Sequence, residues 1–452
     1  MNLVELIGSA GVVGCGGAGY PAQGKLKGSF EYFIINGAEC EPLLRTDRYL
    51  MINKAREIVE TAAMIKSELG IPRCTIALKA HYTDEIAALN TAIKDLNAPV
   101  ELFLMESFYP AGDKQVIVYE VTGIVIPPAG STGRSGVLLY NVGTVYEIYH
   151  ALKGRPFIYK YLTVTGEVRK PVIVKAPIGT SIGTCIDLAG GVKTTDFRIV
   201  VGGPMMGKPA TADMPVTKTS SGILVLPADS KTLVYGATEI RHMLNRARSA
   251  CIQCSYCTQL CPRHLLGHPL EPHKIMRKLA AGERISEMLD DKDIQGAALC
   301  CDCGVCELYA CPMGLQPRRV NGLVKAELKK AGIRYRTEDR VFEPLPDRDD
   351  RRAPTAKIAA RADVLKYNDY TIRELVRAEP KTVDIPMKMH SGAPCTPLVS
   401  VGDMVRAGDL IGTSHEGAGT NIHASICGRV TAVSDKSVRI ETEQQDGSNR
   451  IS

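Results

Sequence analysis

The sequence predicts a multidomain α/β protein: an open α/β unit, a small β-rich unit, a helical cysteine-bearing unit and a second β unit. Three observations predict this. A length of 452 residues exceeds what one core fills and allows about three domains. Short apolar runs alternate with helical stretches before residue 150 and give way to strand-and-turn patterns after it. Nine of the 15 cysteines crowd between Cys251 and Cys311. Apolar residues make up 45% and charged residues 23%, a globular balance that excludes a disordered or fibrous chain.

In the first unit, expected over 1–158, Phe33 to Ile35 reads as a strand, Arg56 to Leu69 as a helix ended by Gly70 and Pro72, and Thr75 to Leu78 as the next strand. Met1 to Ala10 reads as an ordinary first helix, with a short packaging helix as the alternative. Residues 159–235 read as strands with one helix near Ile186, and 236–345 as helices interrupted by the cysteine runs. The charged, proline-bearing stretch from Glu343 to Pro354 opens an expected linker over 346–385. Gly-Asp turns between short strands then give a small β-sandwich or barrel over 386–452.

The net charge of +6 is spread without a run of like charges, too weak to argue for nucleic acid, so no nucleic-acid partner is expected and salt-dependent polyanion binding is the minor alternative. No stretch approaches the roughly 18 apolar residues of a membrane span, and no secretory leader opens the chain. A cytoplasmic location without a membrane span is the expectation, and cysteines crowded in such a chain point to metal rather than disulfides.

Cys251, Cys254, Cys257 and Cys261-Pro262 form C-x2-C-x2-C-x3-C-P, the spacing of bacterial ferredoxin ligands, in which the fourth cysteine serves the neighbouring cluster. A second run, Cys300, Cys303, Cys306 and Cys311-Pro312, has a last gap of four residues, with Cys301 as an extra thiol. The two-cluster pattern groups Cys251, Cys254, Cys257 and Cys311 for one [4Fe-4S] cluster, and Cys300, Cys303, Cys306 and Cys261 for the other. Four-cysteine zinc sites, and Cys301 in place of Cys300, are the alternatives. Cys74, Cys185, Cys395 and Cys427 stand alone and are expected to be small buried residues.

Gly14, Gly16, Gly17 and Gly19 satisfy G-x-G-x-x-G, which lets backbone amides approach a phosphate, and Lys25 supplies a nearby cation. Asn36 to Pro42, containing Glu39 and Glu41, follows an apolar strand, where side chains reach a ligand at the strand's carboxyl end. Glu39 lies twenty residues beyond Gly19, so a dinucleotide fingerprint and a purely structural glycine turn both stay open. His264 and His268 stand at His-x-x-x-His spacing, but Leu265 fills the place of a zinc protease's general base. With His242 and His273 they are expected at the surface or as caps, with ligation of a metal or corrinoid as the alternative.

Gly14 to Lys25, Asn36 to Pro42 with Asp47-Arg48, Tyr109 to Gln115 and Asn141 to Thr144 resemble the flavin-binding domain shared by the flavin subunit of respiratory complex I and the RnfC subunit of the Rnf complex. Residues 160–230 resemble the soluble-ligand-binding β-grasp (SLBB) domain, the cysteine region RnfC's two-cluster ferredoxin insert, and His390 to Val430 RnfC's barrel-sandwich domain. With that module last, the chain is similar to the cobalamin reductases of propanediol-utilising bacterial microcompartments. The resemblance implies a Rossmann-like flavin domain, FMN, two [4Fe-4S] clusters, NADH as donor, and cobalamin reduced for a partner adenosyltransferase, inside a microcompartment with shell proteins as further partners.

It also implies that Gly14 to Gly19 and Lys25 hold the FMN phosphate, that Asn36, Glu39 and Asn141 contact ribityl or ring atoms, and that Tyr20 stacks on a ring. Glu41 is an expected cofactor neighbour, with a water-facing carboxylate as the alternative; Lys114 is either an electrostatic neighbour or a solvated lysine. Cys15 stands where a small residue is usual, and Tyr20 where phenylalanine is usual. Between Thr413 and Ile426 there is no lysine for a swinging arm, so docking is the expected use of the last module. An RnfC-like electron-input subunit and a non-enzymatic electron carrier are the rival functions.

Overall fold

The apolar run Tyr32–Asn36 (β1) has both faces covered, with Phe33, Ile34 and Ile35 fully buried, as the centre of a parallel sheet requires. The computed structural model describes residues 2–280, 284–337, 340–368, 371–414 and 419–443. In it β1 pairs in parallel with Arg73–Lys79 (β2) and, on its other side, with Val137–Asn141 (β5). Glu101–Met105 (β3) extends the sheet beyond β2, and Phe108–Tyr109 (β4) is a short strand outside it. The order β3-β2-β1-β5 reverses between β1 and β5, the place where open α/β sheets form a ligand crevice. Asn36 and Asn141 are register partners at that crevice.

Helices Leu3–Ser9 (α1), Thr46–Asn53 (α2), Ala55–Glu68 (α3), Thr83–Asp95 (α4), Lys114–Thr122 (α5) and Val142–Leu152 (α6) complete the unit. α3 buries Ile58, Val59, Ala62 and Ile65 at helical spacing and ends before Gly70, whose φ of +60° suits only the left-handed region. α1 is an ordinary first helix: Asn2 and Glu5 form a capping box, and Leu3 and Ile7 enter the core. Met1 lies outside the described residues.

The second unit is a mixed sheet of Tyr159–Gly166 (β6), Val172–Pro177 (β7), Phe197–Val201 (β8), Lys208–Ala210 (β9) and Gly222–Pro227 (β10), with one helix, Ile182–Leu188 (α7). Its core is Leu162, Val164, Val174, Ile186, Ile223 and Val225. The cysteine-bearing unit is built of Lys231–Ala237 (α8), Ile240–Ala250 (α9), Tyr256–Gln259 (α10), Pro262–Leu265 (α11), Pro272–Ala280 (α12), Lys292–Gln295 (α13) and Pro317–Lys330 (α14). Ile275, Met276, Val320 and Val324 fill its centre.

The stretch expected to be a linker is structured. Ala353–Pro354 (β11) pairs with β4, Thr355–Arg361 (α15) buries Ile358 and Ala359, and Leu375–Arg377 (β12) adds a strand beside β7. Its charges find partners in the fold: Arg348 and Arg352 both pair with Glu120 of α5. Residues 369–370 of it lie outside the described part.

The last unit packs a four-stranded sheet against a three-stranded one, built from Thr382–Pro386 (β13), Thr396–Pro397 (β14), Met404–Val405 (β15), Leu410–Thr413 (β16), Asn421–His423 (β17), Gly428–Val433 (β18) and Ser437–Glu441 (β19). Of the segment without lysine, 415–418 lie outside the described residues, as do 444–452. Met387, Met389, Ile411 and Ile422 share one core with Ile7 and Val12 of the first unit. Cys74, Cys185 and Cys395 are buried as expected, but Cys427 is exposed at a turn, where its Sγ accepts from the Ala407 amide. A further core, with Leu43, Tyr109, Met205, Leu226, Cys303 and Ile358, joins the first, second and third units and the former linker at one point.

Candidate functional site

At the β1/β5 crevice lies a cavity of about 370 Å³, the size of a small-cofactor site. Gly14, Gly16, Tyr20, Lys25, Asn36, Glu39, Glu41 and Asn141, all expected from the sequence, line it. Gly17, between them, has a φ of +104° and open space where a side chain would stand. Cys15 to Ala18 form a tight turn at the cavity edge, a backbone geometry of the kind that receives a phosphate. These features fit a mononucleotide.

Lys25 ends a 3-10 turn, Ala22–Lys25, and donates to the carbonyl of Leu139 at 3.0 Å; burial and then Lys114 hold its ammonium down at about 8. Tyr20 is 40% exposed at the mouth, a ring free on one side, and rests against Gly24. Asn36 donates to the Gly112 carbonyl and accepts from the Ala38 amide; Asn141 caps α6 through Gly143 and donates to Asp47 at 2.6 Å. Both amides thus hold the wall itself. Glu39 accepts from the Asp47 amide at 2.9 Å, and burial pushes both carboxyls up, Glu39 further by repulsion from Asp47.

Glu41 is half-buried in the cavity wall. It accepts from the Met205 amide at 2.9 Å and from the Tyr109 hydroxyl at 3.2 Å, and burial raises it to about 7. Gly203 makes this possible, since a Cβ there would stand 2.0 Å from Glu41 Oε2. The Tyr109 hydroxyl has one proton, shared between Glu41 and the nearer Cys303 carbonyl at 2.8 Å, and Asp113 holds Arg263 in a buried bidentate pair at 2.5 and 2.8 Å. The flavin-side wall is therefore bolted to the cysteine unit, and Cys301 and Cys303 themselves line the cavity.

The two cysteine runs share one backbone design. Gln253 and Ser255 flank Cys254 with φ of +56° and +62°; Asp302 and Gly304 flank Cys303 with +59° and +80°. Cys251 (φ −73°) therefore corresponds to Cys300 (φ −60°), and Cys301 to the exposed Ile252. The longer gap in the second run is absorbed by a π-helical turn, Val305–Ala310, where the first run has the α-turn of α10. Pro262 starts α11 directly after Cys261, so the chain leaves the first thiol group and delivers Cys261 elsewhere.

Cys251, Cys254, Cys257 and Cys311 surround one small cavity, with Pro312 and His273 beside them. Cys257 feels Cys311, Cys251 and Cys254 as its nearest charges after burial, which pushes it up to about 12. Cys261 faces Cys301 and Cys300, and Cys306 faces Cys300 and Cys261. Among the described residues no three His, Cys, Asp or Glu groups converge on a point that would hold a single ion. Cys251, Cys254, Cys257 and Cys311 instead surround a volume, an arrangement that fits a cluster.

Comparison with known proteins gives four family models in chain order: the Nuo51 FMN-binding domain over 7–150, the SLBB domain over 161–209, the 4Fe-4S dicluster domain over 250–316 and the RnfC barrel sandwich hybrid domain over 367–447. The cobalamin reductase PduS of Salmonella typhimurium is 37% identical over 96% of this chain and 95% of its own. The chain belongs to the PduS cobalamin reductase family. The PduS of Citrobacter freundii is 35% identical over 96% of this chain and 95% of its own. A component of the Na(+)-translocating ferredoxin:NAD(+) oxidoreductase complex of Acetobacterium woodii is 32% identical over 58% of this chain and 58% of its own.

This PduS-family chain is an oxidoreductase with an FMN-binding domain and a domain for two [4Fe-4S] clusters. Among the described residues no helix is long and apolar enough to cross a membrane. Of the four histidines near the clusters, His242 is exposed, His264 half-buried, His273 shares a hydrogen bond with Thr258, and His268 is buried against the Ile126 carbonyl. Sequence reasoning missed Cys40, Lys160 and Ser221 in the cavity wall. Lys160 carried one signal, a cation inside the β6 run of apolar and hydroxyl residues, but its place in the wall depends on a neighbouring unit.

Proposed function

We propose that this chain is an NADH-dependent reductase that delivers electrons through FMN and two [4Fe-4S] clusters to cobalamin, for a partner adenosyltransferase in 1,2-propanediol utilisation within a bacterial microcompartment. The observation that carries the reading is the shared wall: Cys301 and Cys303 line the same cavity as the glycine loop. FMN exchanges hydride equivalents for single electrons, and the clusters carry those one at a time.

The chain's own residues do the rest. The amides of Gly16 to Gly19 and the ammonium of Lys25 hold the phosphate. Asn36 and Asn141 fix the ends of β1 and β5, and Glu39 and Glu41 line the wall as half-buried carboxyls. Tyr20, on the open side, offers a stacking face for nicotinamide. Cys261, Cys300, Cys303 and Cys306 hold the cluster next to the cavity, and Cys251, Cys254, Cys257 and Cys311 the outer one. The outer group opens beside the exposed Ile252 and Met313, where an acceptor arrives.

The test is anaerobic reconstitution followed by titration with NADH and cob(II)alamin. Bleaching of the bound flavin and formation of cob(I)alamin are expected. Bleaching without cob(I)alamin would move the chain to an RnfC-like input role, and no bleaching would reduce it to an electron carrier.

A further inference from the structure

The carbonyls on the back of the glycine loop are held by the C-terminal β unit. Ser391 donates its amide to the Gly19 carbonyl at 2.9 Å and its hydroxyl to the Ala18 carbonyl at 2.7 Å. In a trans peptide the carbonyl and the following amide point opposite ways. Fixing the Ala18 and Gly19 carbonyls on the β-unit side therefore turns the amides of Gly19 and Tyr20 away from it, and Ala18 and Tyr20 border the cavity on that other side.

Ahead of the loop, Lys218 does the same work from a buried position, 1% exposed. Its ammonium donates to the carbonyl of Gly11 at 2.6 Å and to that of Asn421 at 2.8 Å, tying the N-terminal segment to β17. Gly11 has a φ of +68°, and a Cβ there would stand 2.3 Å from the Asn421 oxygen and 2.7 Å from Lys218 Nζ. Gly19 is similar: a Cβ would meet Thr219 Cγ2 at 2.9 Å and the Met389 oxygen at 3.3 Å. Two flanking bonds close the bracket, Gln23 Nε2 to the Gly419 carbonyl at 2.7 Å and Asn421 Nδ2 to the Ser9 carbonyl at 3.2 Å. The open side of the loop is at Gly17; the crowded side faces the β unit.

We propose that the C-terminal β unit is the back-plate of the phosphate loop, and that Lys218 and Ser391 are positioning residues for the phosphate of the bound mononucleotide. The inference rests on the FMN reading of the cavity. A loop whose amides are already aimed loses little freedom on binding, so phosphate affinity depends on contacts that never touch the ligand. The last module then has a use inside the molecule, independent of any docking to a partner.

The test compares FMN with riboflavin, which lacks the phosphate, by flavin fluorescence on the cluster-reconstituted full chain and its Ser391→Ala and Lys218→Met variants. Ser391→Ala is expected to weaken FMN about fivefold and Lys218→Met at least about tenfold, with riboflavin affinity and iron content unchanged. Unchanged FMN affinity in both variants, or equal losses for FMN and riboflavin, overturns the proposal. If Lys218→Met does not fold, Ser391→Ala, at an exposed residue, decides alone. If the unaltered chain retains no FMN, the cavity reading itself falls and the back-plate with it.

Discussion

Glu147 on α6 is buried among Lys160, Lys175 and Lys218, and burial raises its carboxyl to about 8 despite those cations. A folded-state value above the unfolded one means that the neutral form is favoured in the fold. Its stabilising contribution is complete below about pH 4.5 and is lost as pH climbs through about 8. The cofactor-free protein should therefore melt at a lower temperature at pH 8.5 than at pH 5.5. Glu147→Gln should flatten that difference, by on the order of a few kcal/mol at most. Thermal melts of both proteins at the two pH values check it, and an unchanged slope in the variant contradicts it. At this scale the thiols and glycines were legible because their spacing along the chain is itself the chemistry. Glu41 was readable as a candidate wall residue, but its partners Met205 and Gly203 were not, since they lie far along the chain.

Among elements, the glycine loop has two faces, and two substitutions separate them. Gly17→Ala meets open space, so it should cost about 1 kcal/mol of backbone strain and show chiefly as lost FMN retention. Gly19→Ala drives a methyl into Thr219 and should lower the melting temperature by several degrees, a cost of about 1–3 kcal/mol. Paired melts and FMN titrations distinguish them; equal melting temperatures would mean that Thr219 of the second unit and Met389 of the last do not press on the loop. Parallel strands and amphipathic helices such as β1 and α3 were readable from apolar pattern alone. The π-turn at Val305–Ala310 announced itself only as one extra residue between cysteines. The structured stretch over 346–385 was misjudged because Arg348 and Arg352 find Glu120 in space, not in sequence.

Across the whole molecule, the units are joined where the chemistry needs them joined. Tyr109 spans the flavin-side wall and the cysteine unit through Glu41 and the Cys303 carbonyl. Tyr109→Phe should cost about 1–3 kcal/mol, because a buried carbonyl and a carboxyl lose their donor, and melts of the metal-free chain would show it. Arg263 with Asp113 is the second bolt. The relative placement implies an order: cavity, then the Cys261, Cys300, Cys303 and Cys306 group, then the Cys251, Cys254, Cys257 and Cys311 group. The most direct measurement is electron paramagnetic resonance of NADH-treated, anaerobically reconstituted Cys254→Ser and Cys303→Ser chains. The predicted result is that the cluster remaining in Cys254→Ser is still reduced through the flavin while the one remaining in Cys303→Ser is reduced far more slowly; the reverse pattern would contradict the account.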